Sequence, residues 1–190
     1  TEFVRIRTYY PKLCLVQIAY DSGAGCIDYL QSNDLNKVWQ LIFNPKKLKI
    51  FHSARQDLEI LFLIKNRIPE NIFDTQIGAA LLGYPPQVGI KQLLKDELNI
   101  EISKTETRSD WSKRPLDLKQ IEYALEDVNH LLNLHNVLEK KLKAKERYSW
   151  ALEDSSRILT NAKELFNPDS AWKRIPGIKN LKNKNQYLAV

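Results

Sequence analysis

The chain has 190 residues, 43% of them hydrophobic and 27% charged, and its 29 basic residues outnumber its 23 acidic ones. With only 6 Gly and 8 Pro, and no run near the about 18 apolar residues that span a bilayer, this composition excludes low-complexity disorder, collagen and membrane helices. The formal charge of +6 points to a polyanion partner, with a solvated basic surface as the plainer alternative.

Strand-like runs fall at residues 1–7, 13–20, 25–29, 48–52 and 71–73. Asp21-Ser22-Gly23 is a turn between the second and third runs, which predicts an antiparallel pair. Asn33 or Asp34 is expected to cap a helix that runs to Phe43 and is ended by Pro45. The fourth run leads into a helix over 55–65, and this strand-to-helix step predicts a parallel crossover to the fifth. From Thr75 onward the pattern is helical, broken by Gly83-Tyr84-Pro85-Pro86 and by the polar stretch 103–115. The expected fold is α/β: a mixed five-stranded sheet flanked by helices, with a helical C-terminal extension.

A long helix is expected over 117–143. At about 100° per residue its buried stripe is Ile121, Leu125, Val128, Leu132 and His135, which leaves Tyr123 and Asp127 on the opposite side. A tyrosine and an aspartate one turn apart are most simply explained by solvent. Their meaning changes if other carboxylates join them. Glu2 is on the first strand, and Asp57 falls in the first turn of the helix after the fourth strand, where the helix dipole favours a carboxylate. Alone, each has a structural explanation. Gathered at the sheet edge, Glu2, Asp57 and Asp127 would repel one another unless cations lay among them, and an all-oxygen set suits Mg²⁺ or Mn²⁺ rather than Zn²⁺. That pattern points to metal-assisted phosphoryl chemistry.

The runs Thr1-Glu2-Phe3-Val4-Arg5, Phe73-Asp74-Thr75-Gln76, Asp110-Trp111-Ser112-Lys113-Arg114-Pro115-Leu116 and Tyr123-Ala124-Leu125-Glu126-Asp127-Val128, in this order, closely resemble ribonuclease D. That family groups with the exonucleases of ribonuclease H-like (DnaQ-like) fold whose site is named for four acidic residues and a tyrosine. The resemblance runs from Thr1 to about Leu165. It implies a 3′-5′ exonuclease domain over 1–143, a helical linker over 144–166 and, from Asn167 through Trp172 to Ile175, the beginning of an HRDC-like helical domain over 167–190.

Carried over position by position, the resemblance makes Glu2, Asp57, Tyr123 and Asp127 the catalytic set, with Glu2, Asp57 and Asp127 as ligands to two divalent cations. The family's first aspartate would stand immediately before Thr1. The sequence starts inside a strand-like run, contains no Met and stops in a helical pattern, so it reads as a piece of a longer protein, and without that aspartate it is expected to be close to inactive. The implied mechanism is two-metal hydrolysis of a phosphodiester, with ions about 3.5–4 Å apart and Tyr123 orienting the attacking water. Phe3 reads first as core and second as a base-stacking platform; His52 reads first as a satisfied strand-end residue and second as a phosphate contact. Lys104 and Arg108 are candidate backbone contacts. Gln17, a polar residue in an apolar strand, must find partners if buried, and Trp111 is expected to be a packing anchor.

The expected function is a 3′-5′ exoribonuclease acting in tRNA 3′-end processing, with tRNA precursors as the partner, no membrane contact and no obligatory protein partner. The alternatives are a catalytically incomplete nucleic-acid-binding domain and a related 3′-5′ DNA exonuclease. Cys14 and Cys26, both in strand-like runs of a chain in which no secretory signal is read, are expected to be reduced, and the location cytoplasmic.

Overall fold

A run of five consecutive buried residues, Leu13 to Gln17, makes the central strand of the first part of the molecule. In the computed structural model, which describes residues 1–102, 109–160 and 166, β1 (Glu2–Val4), β2 (Lys12–Tyr20) and β3 (Gly23–Asp28) form an antiparallel ladder in the order β1-β2-β3. The expected hairpin is present: Tyr20 pairs with Gly23 across the tight turn, and the register continues to Leu15 opposite Asp28. Both cysteines are free thiols. After α1 (Asn36–Ile42), strand β4 (Lys49–Phe51) leads through α2 (Arg55–Lys65) to β5 (Ile72–Asp74), and β4 and β5 pair in parallel as the crossover requires. All five expected strands are therefore present in a mixed arrangement, with their hydrogen bonds divided between a three-stranded and a two-stranded ladder.

Helices complete the chain: α3 (Thr75–Leu82), α4 (Ile90–Leu98), α5 (Leu118–Asn129), α6 (Leu131–Ala144) and α7 (Tyr148–Ser156). Two local expectations are corrected. The first position before α1 is Leu35, not Asn33 or Asp34, although the Asp34 carboxylate accepts from the Asn36 N–H at 2.8 Å and so fixes the entry one residue earlier. The single helix expected over 117–143 is broken at His130 into α5 and α6. The break resets the helical phase, so one stripe cannot describe both halves. On α5 the fully buried side chains are Gln120 and Ala124, while Ile121, Leu125 and Val128 are half-buried; on α6 they are Leu134, His135, Leu138 and Leu142.

The two halves serve different cores. One cluster, containing Leu13, Val16, Trp39, Leu58, Leu61 and Ile72, packs α1 and α2 against the strands. A second surrounds Phe73, Leu94, Leu134, Leu138 and Leu142. Here Gly78 permits a close approach, because a Cβ at this position would lie 2.6 Å from the tip of the Phe73 ring. That ring stacks on Tyr148 at 5.7 Å and meets His135 edge-on at 4.7 Å. Helix α7 is tied to this core, since the Ser155 hydroxyl donates to the Ala151 carbonyl and accepts from the buried N–H of Asp74 at 2.9 Å. The third cluster is small: Cys14, Leu15, Trp111 and Ala124, with Tyr123 against it. No described helix is long and apolar enough to cross a membrane.

Candidate active site

Four chain segments deliver the site. Glu2 stands on β1 opposite Leu15, and the register shifts between Glu2 and Phe3, the kind of strand irregularity that re-aims a side chain. Across the sheet, the Gln17 amide donates to Glu2 Oε1 at 3.3 Å. Gln17 is 9% exposed, and its own Oε1 is the one buried side-chain oxygen without a partner among the described residues. The sequence flagged this residue for its polarity within an apolar strand, and the structure sets it beside the first carboxylate.

Asp57 lies in the first turn of α2. Its position depends on a junction that sequence reading did not resolve. Ser53, with φ of 57°, turns the chain from β4 into α2, and Asp74 at the end of β5 holds that turn: its carboxylate accepts from the N–H groups of Ser53 at 3.0 Å, Ala54 at 2.8 Å and Gln76 at 2.9 Å. Thus Asp74 caps α3 and at the same time fixes the start of the helix that carries Asp57. An aspartate before a helical run carries the local signal of a cap; its second task depends on residues 20 and 21 positions away.

Tyr123 and Asp127 come from α5, which a capping box of Asp117 and Gln120 starts. Ala124, fully buried, lets α5 lie close to the strands, and Trp111 supports the Tyr123 ring at 6.2 Å. The Trp111 loop is held by Arg114, whose guanidinium takes the Asp28 carboxylate with both ends, at 2.6 and 2.7 Å, and also donates to the carbonyls of Cys14, Trp111 and Lys113. Beside this pair is an open cleft of about 530 Å³, lined by Leu15, Cys26, Leu116 and Ile121 among others; none of Glu2, Asp57, Tyr123 and Asp127 lines it.

The four expected residues act on one another: Asp127 and Asp57 on Glu2, and Asp127 and Glu2 on Tyr123. Burial, together with the neighbouring Asp127 and Asp57, pushes the Glu2 carboxyl up to about 7, against the pull of the Thr1 ammonium. Burial also raises Asp127, a shift opposed by the hydrogen bond from Tyr123. Burial and the facing Asp127 and Glu2 carboxylates push the Tyr123 phenol up to about 12, so it is a neutral donor at physiological pH. Positive charge reaches these acids from two places: Lys91 acts on Asp127, and the α-ammonium with which this sequence starts donates to Asp57 Oδ1 at 2.7 Å, beside the Thr1 hydroxyl, which donates to the same oxygen at 2.6 Å. Burial disfavours that ammonium, but Asp57, Glu2 and Asp127 together hold its pKa above the usual value.

Among the described residues, no three His, Cys, Asp or Glu side chains are close enough to form a ready metal cage. The donor chemistry nevertheless suits a hard divalent cation: Glu2, Asp57 and Asp127 offer carboxylate oxygens, and both aspartates raise the Glu2 carboxyl.

The remaining expected contacts are placed as follows. Phe3 is half-buried and packs against the first core cluster. The Nδ1 of His52 is 2.9 Å from the Thr75 hydroxyl, which itself donates to the Phe51 carbonyl. This contact is the one expected of a satisfied strand-end histidine. Lys104, Arg108 and residues 167–190 lie outside the described residues.

A strand-borne glutamate, a helix-start aspartate and a tyrosine-aspartate pair on a third element make up the candidate site, and comparison with known proteins gives the family. The sequence model of the 3′-5′ exonuclease family matches residues 1–143, and the chain belongs to that family. Within it the resemblance is to ribonuclease D. The ribonuclease D of Zymomonas mobilis is 40% identical over 177 residues, which cover 92% of this chain and 45% of that protein; that of Granulibacter bethesdensis is 37% identical over 191 residues, covering 100% and 48%. The chain therefore spans just under half the length of these relatives. The crystal structure of Escherichia coli RNase D, described as an exoribonuclease involved in structured RNA processing, matches with a TM-score of 0.88 at 32% identity over 96% of this chain and 48% of that one. Brucella melitensis NrnC with bound Mg²⁺ matches with a TM-score of 0.76 at 28% identity, over 91% of this chain and 84% of that one.

Proposed function

We propose that this chain forms the catalytic part of a 3′-5′ exoribonuclease that hydrolyses phosphodiesters with two divalent cations and trims the 3′ ends of tRNA precursors. The observation that carries this reading is that Glu2 faces both Asp57 and Asp127, and Tyr123 faces Asp127 and Glu2, in a chain of the 3′-5′ exonuclease family. Relatives add support: E. coli RNase D is described as an exoribonuclease, and NrnC structures hold Mg²⁺ or pGG.

Glu2, Asp57 and Asp127 would hold Mg²⁺ or Mn²⁺. Bound there, the ions would supply Lewis-acid activation of water and stabilisation of the leaving 3′ oxygen. The protein's own part is positional. Tyr123, kept neutral by burial and its acidic neighbours, gives its proton to a hydrogen bond with Asp127 and leaves its oxygen to accept from and orient the attacking water rather than removing its proton. Gln17 braces Glu2, and the Asp74 junction holds Asp57 at the start of its helix.

A second reading keeps the same surface without hydrolysis: among the described residues no three His, Cys, Asp or Glu side chains form a ready metal cage, and the chain would then serve as a nucleic-acid-binding domain. One experiment separates the readings. The chain as it stands and a version with an aspartate placed directly ahead of Thr1 are given RNA labelled at its 3′ or 5′ end, with Mg²⁺, Mn²⁺ or chelator. The exonuclease reading expects single nucleotides to leave from the 3′ end, only with metal and only in the aspartate-bearing version. Internal cuts, or cleavage indifferent to chelator, would overturn it. Binding without hydrolysis in both versions would establish the second reading, and faster loss of nucleotides from DNA than from RNA would reassign the substrate.

A further inference from the structure

From the segment Arg5–Tyr10, which leaves β1 and returns as β2, we infer a second contact surface: a platform on which bases of a single-stranded nucleic acid stack as its end enters the acidic cluster. This rests on the exonuclease reading for the identity of the strand. The observations are local. Of the seven large apolar side chains exposed among the described residues, three fall within five consecutive positions here: Ile6 at 67%, Tyr9 at 47% and Tyr10 at 39%. Exposed apolar side chains scattered singly need no explanation, but a cluster does.

The chemistry around them is one-sided. From Phe3 to Tyr20 there is no acidic residue, while Arg5, Arg7 and Lys12 contribute three positive charges, and Arg7 and Lys12 are exposed. Aromatic faces interleaved with cations are what a flexible polyanion with stacking bases requires; a protein partner with an apolar patch would not need the charge. The segment is also held in shape. Arg5 pairs with Glu59 of α2 at 2.5 Å, two residues beyond Asp57. The Thr8 hydroxyl donates to the Tyr10 carbonyl at 2.9 Å, the Tyr10 hydroxyl donates to the Phe166 carbonyl at 3.2 Å, and the Tyr9 and Tyr10 rings meet edge to face at 4.9 Å. Arg7 has φ of 52°, a backbone region that a residue with a long side chain rarely occupies and that persists where the surroundings impose it.

Position completes the argument. Arg5 follows Glu2 by three residues of extended chain, so the platform begins about 10 Å from the first carboxylate. A strand whose end lies at Glu2 and Asp57 would pass over Tyr9, with Arg7 and Lys12 against its phosphates.

The test is binding of a fluorescent ten-nucleotide oligoadenylate, read by anisotropy in chelator so that nothing is cleaved. Tyr9→Ala is expected to weaken binding by about five- to hundredfold, Tyr9→Leu nearly as much, and Tyr9→Phe by less than about twofold, because stacking needs the ring and not the hydroxyl. Tyr20→Ala, which removes a more exposed tyrosine from the far end of β2, is expected to leave binding within about twofold, since it lies outside the path. Arg7→Gln should lower the slope of log affinity against log salt by about 0.7. Wild-type affinity in Tyr9→Ala, or no binding by the unsubstituted chain, overturns the platform. So does a loss of binding in Tyr9→Ala that coincides with dimer dissociation in sedimentation, which would make the segment a protein interface. Hydrolysis of labelled RNA by the aspartate-bearing version is read separately. If it degrades RNA while Tyr9→Ala binds normally, only the platform fails. If Tyr9→Ala binds weakly and no version degrades RNA, the platform stands and the exonuclease reading fails.

Discussion

Asp74 and Glu2 are both acidic groups drawn out of water, and they are treated in opposite ways. Asp74, 3% exposed, accepts three backbone N–H groups that lock two strand-to-helix junctions together. Glu2 has one long hydrogen bond from Gln17 and faces two further carboxylates, and its pKa is pushed up to about 7. A buried acid whose acceptors are all used is architecture. One left short of partners among like charges is available for a cation and for chemistry.

Substitution should separate the two. The largest expected effect is on catalysis: in the version with an aspartate ahead of Thr1, Asp57→Ala or Asp127→Ala should lower metal-dependent RNA hydrolysis by at least about a thousandfold, while urea unfolding shows stability unchanged or slightly raised because repulsion is relieved. Tyr123→Phe should retain measurable activity, and equal losses in all three variants would contradict their distinct roles. Next in size, Asp74→Ala should cost about 3–4 kcal/mol in urea unfolding, because it leaves buried N–H groups of the junction unpaired and removes the cap of α3. If Asp74→Ala were as stable as the parent, the contrast with Glu2 would be lost.

The smallest effect concerns the Asp28–Arg114 pair. Hydrogen bonds from Arg114 hold the Asp28 carboxyl below its usual value. A group whose pKa is lower in the folded state contributes stability that is fully present above the unfolded value, near about 4, and lost as pH falls through the folded one. Asp28→Asn should therefore flatten the acid limb of a stability-versus-pH curve measured from neutral pH to below 4, leaving the rest of the curve parallel to the parent's.

What could be read in the sequence was what neighbours encode. The Asp21-Ser22-Gly23 hairpin, the crossover through 55–65, Asp57 in a first helical turn and the one-turn spacing of Tyr123 and Asp127 are all local patterns, and the structure has each of them. The break at His130 was not legible, because apolar residues continue on both sides and only packing against two different cores sets the phase. Arg114 stood in a recognised run without a role, since its partner Asp28 is 86 positions away. The orphaned oxygen of Gln17 and the ammonium on Asp57 are likewise tertiary facts.

The bond between the Ser155 hydroxyl and the Asp74 N–H bears on where this domain can be divided. The family match ends at residue 143, yet α7 supplies the cover for Phe73 and the acceptor for an amide sealed from water just where β5 meets α3. A polypeptide stopped at 143 would strip both from the junction of β5 and α3, so stopping it after Ser156 instead should give the higher midpoint in urea unfolding.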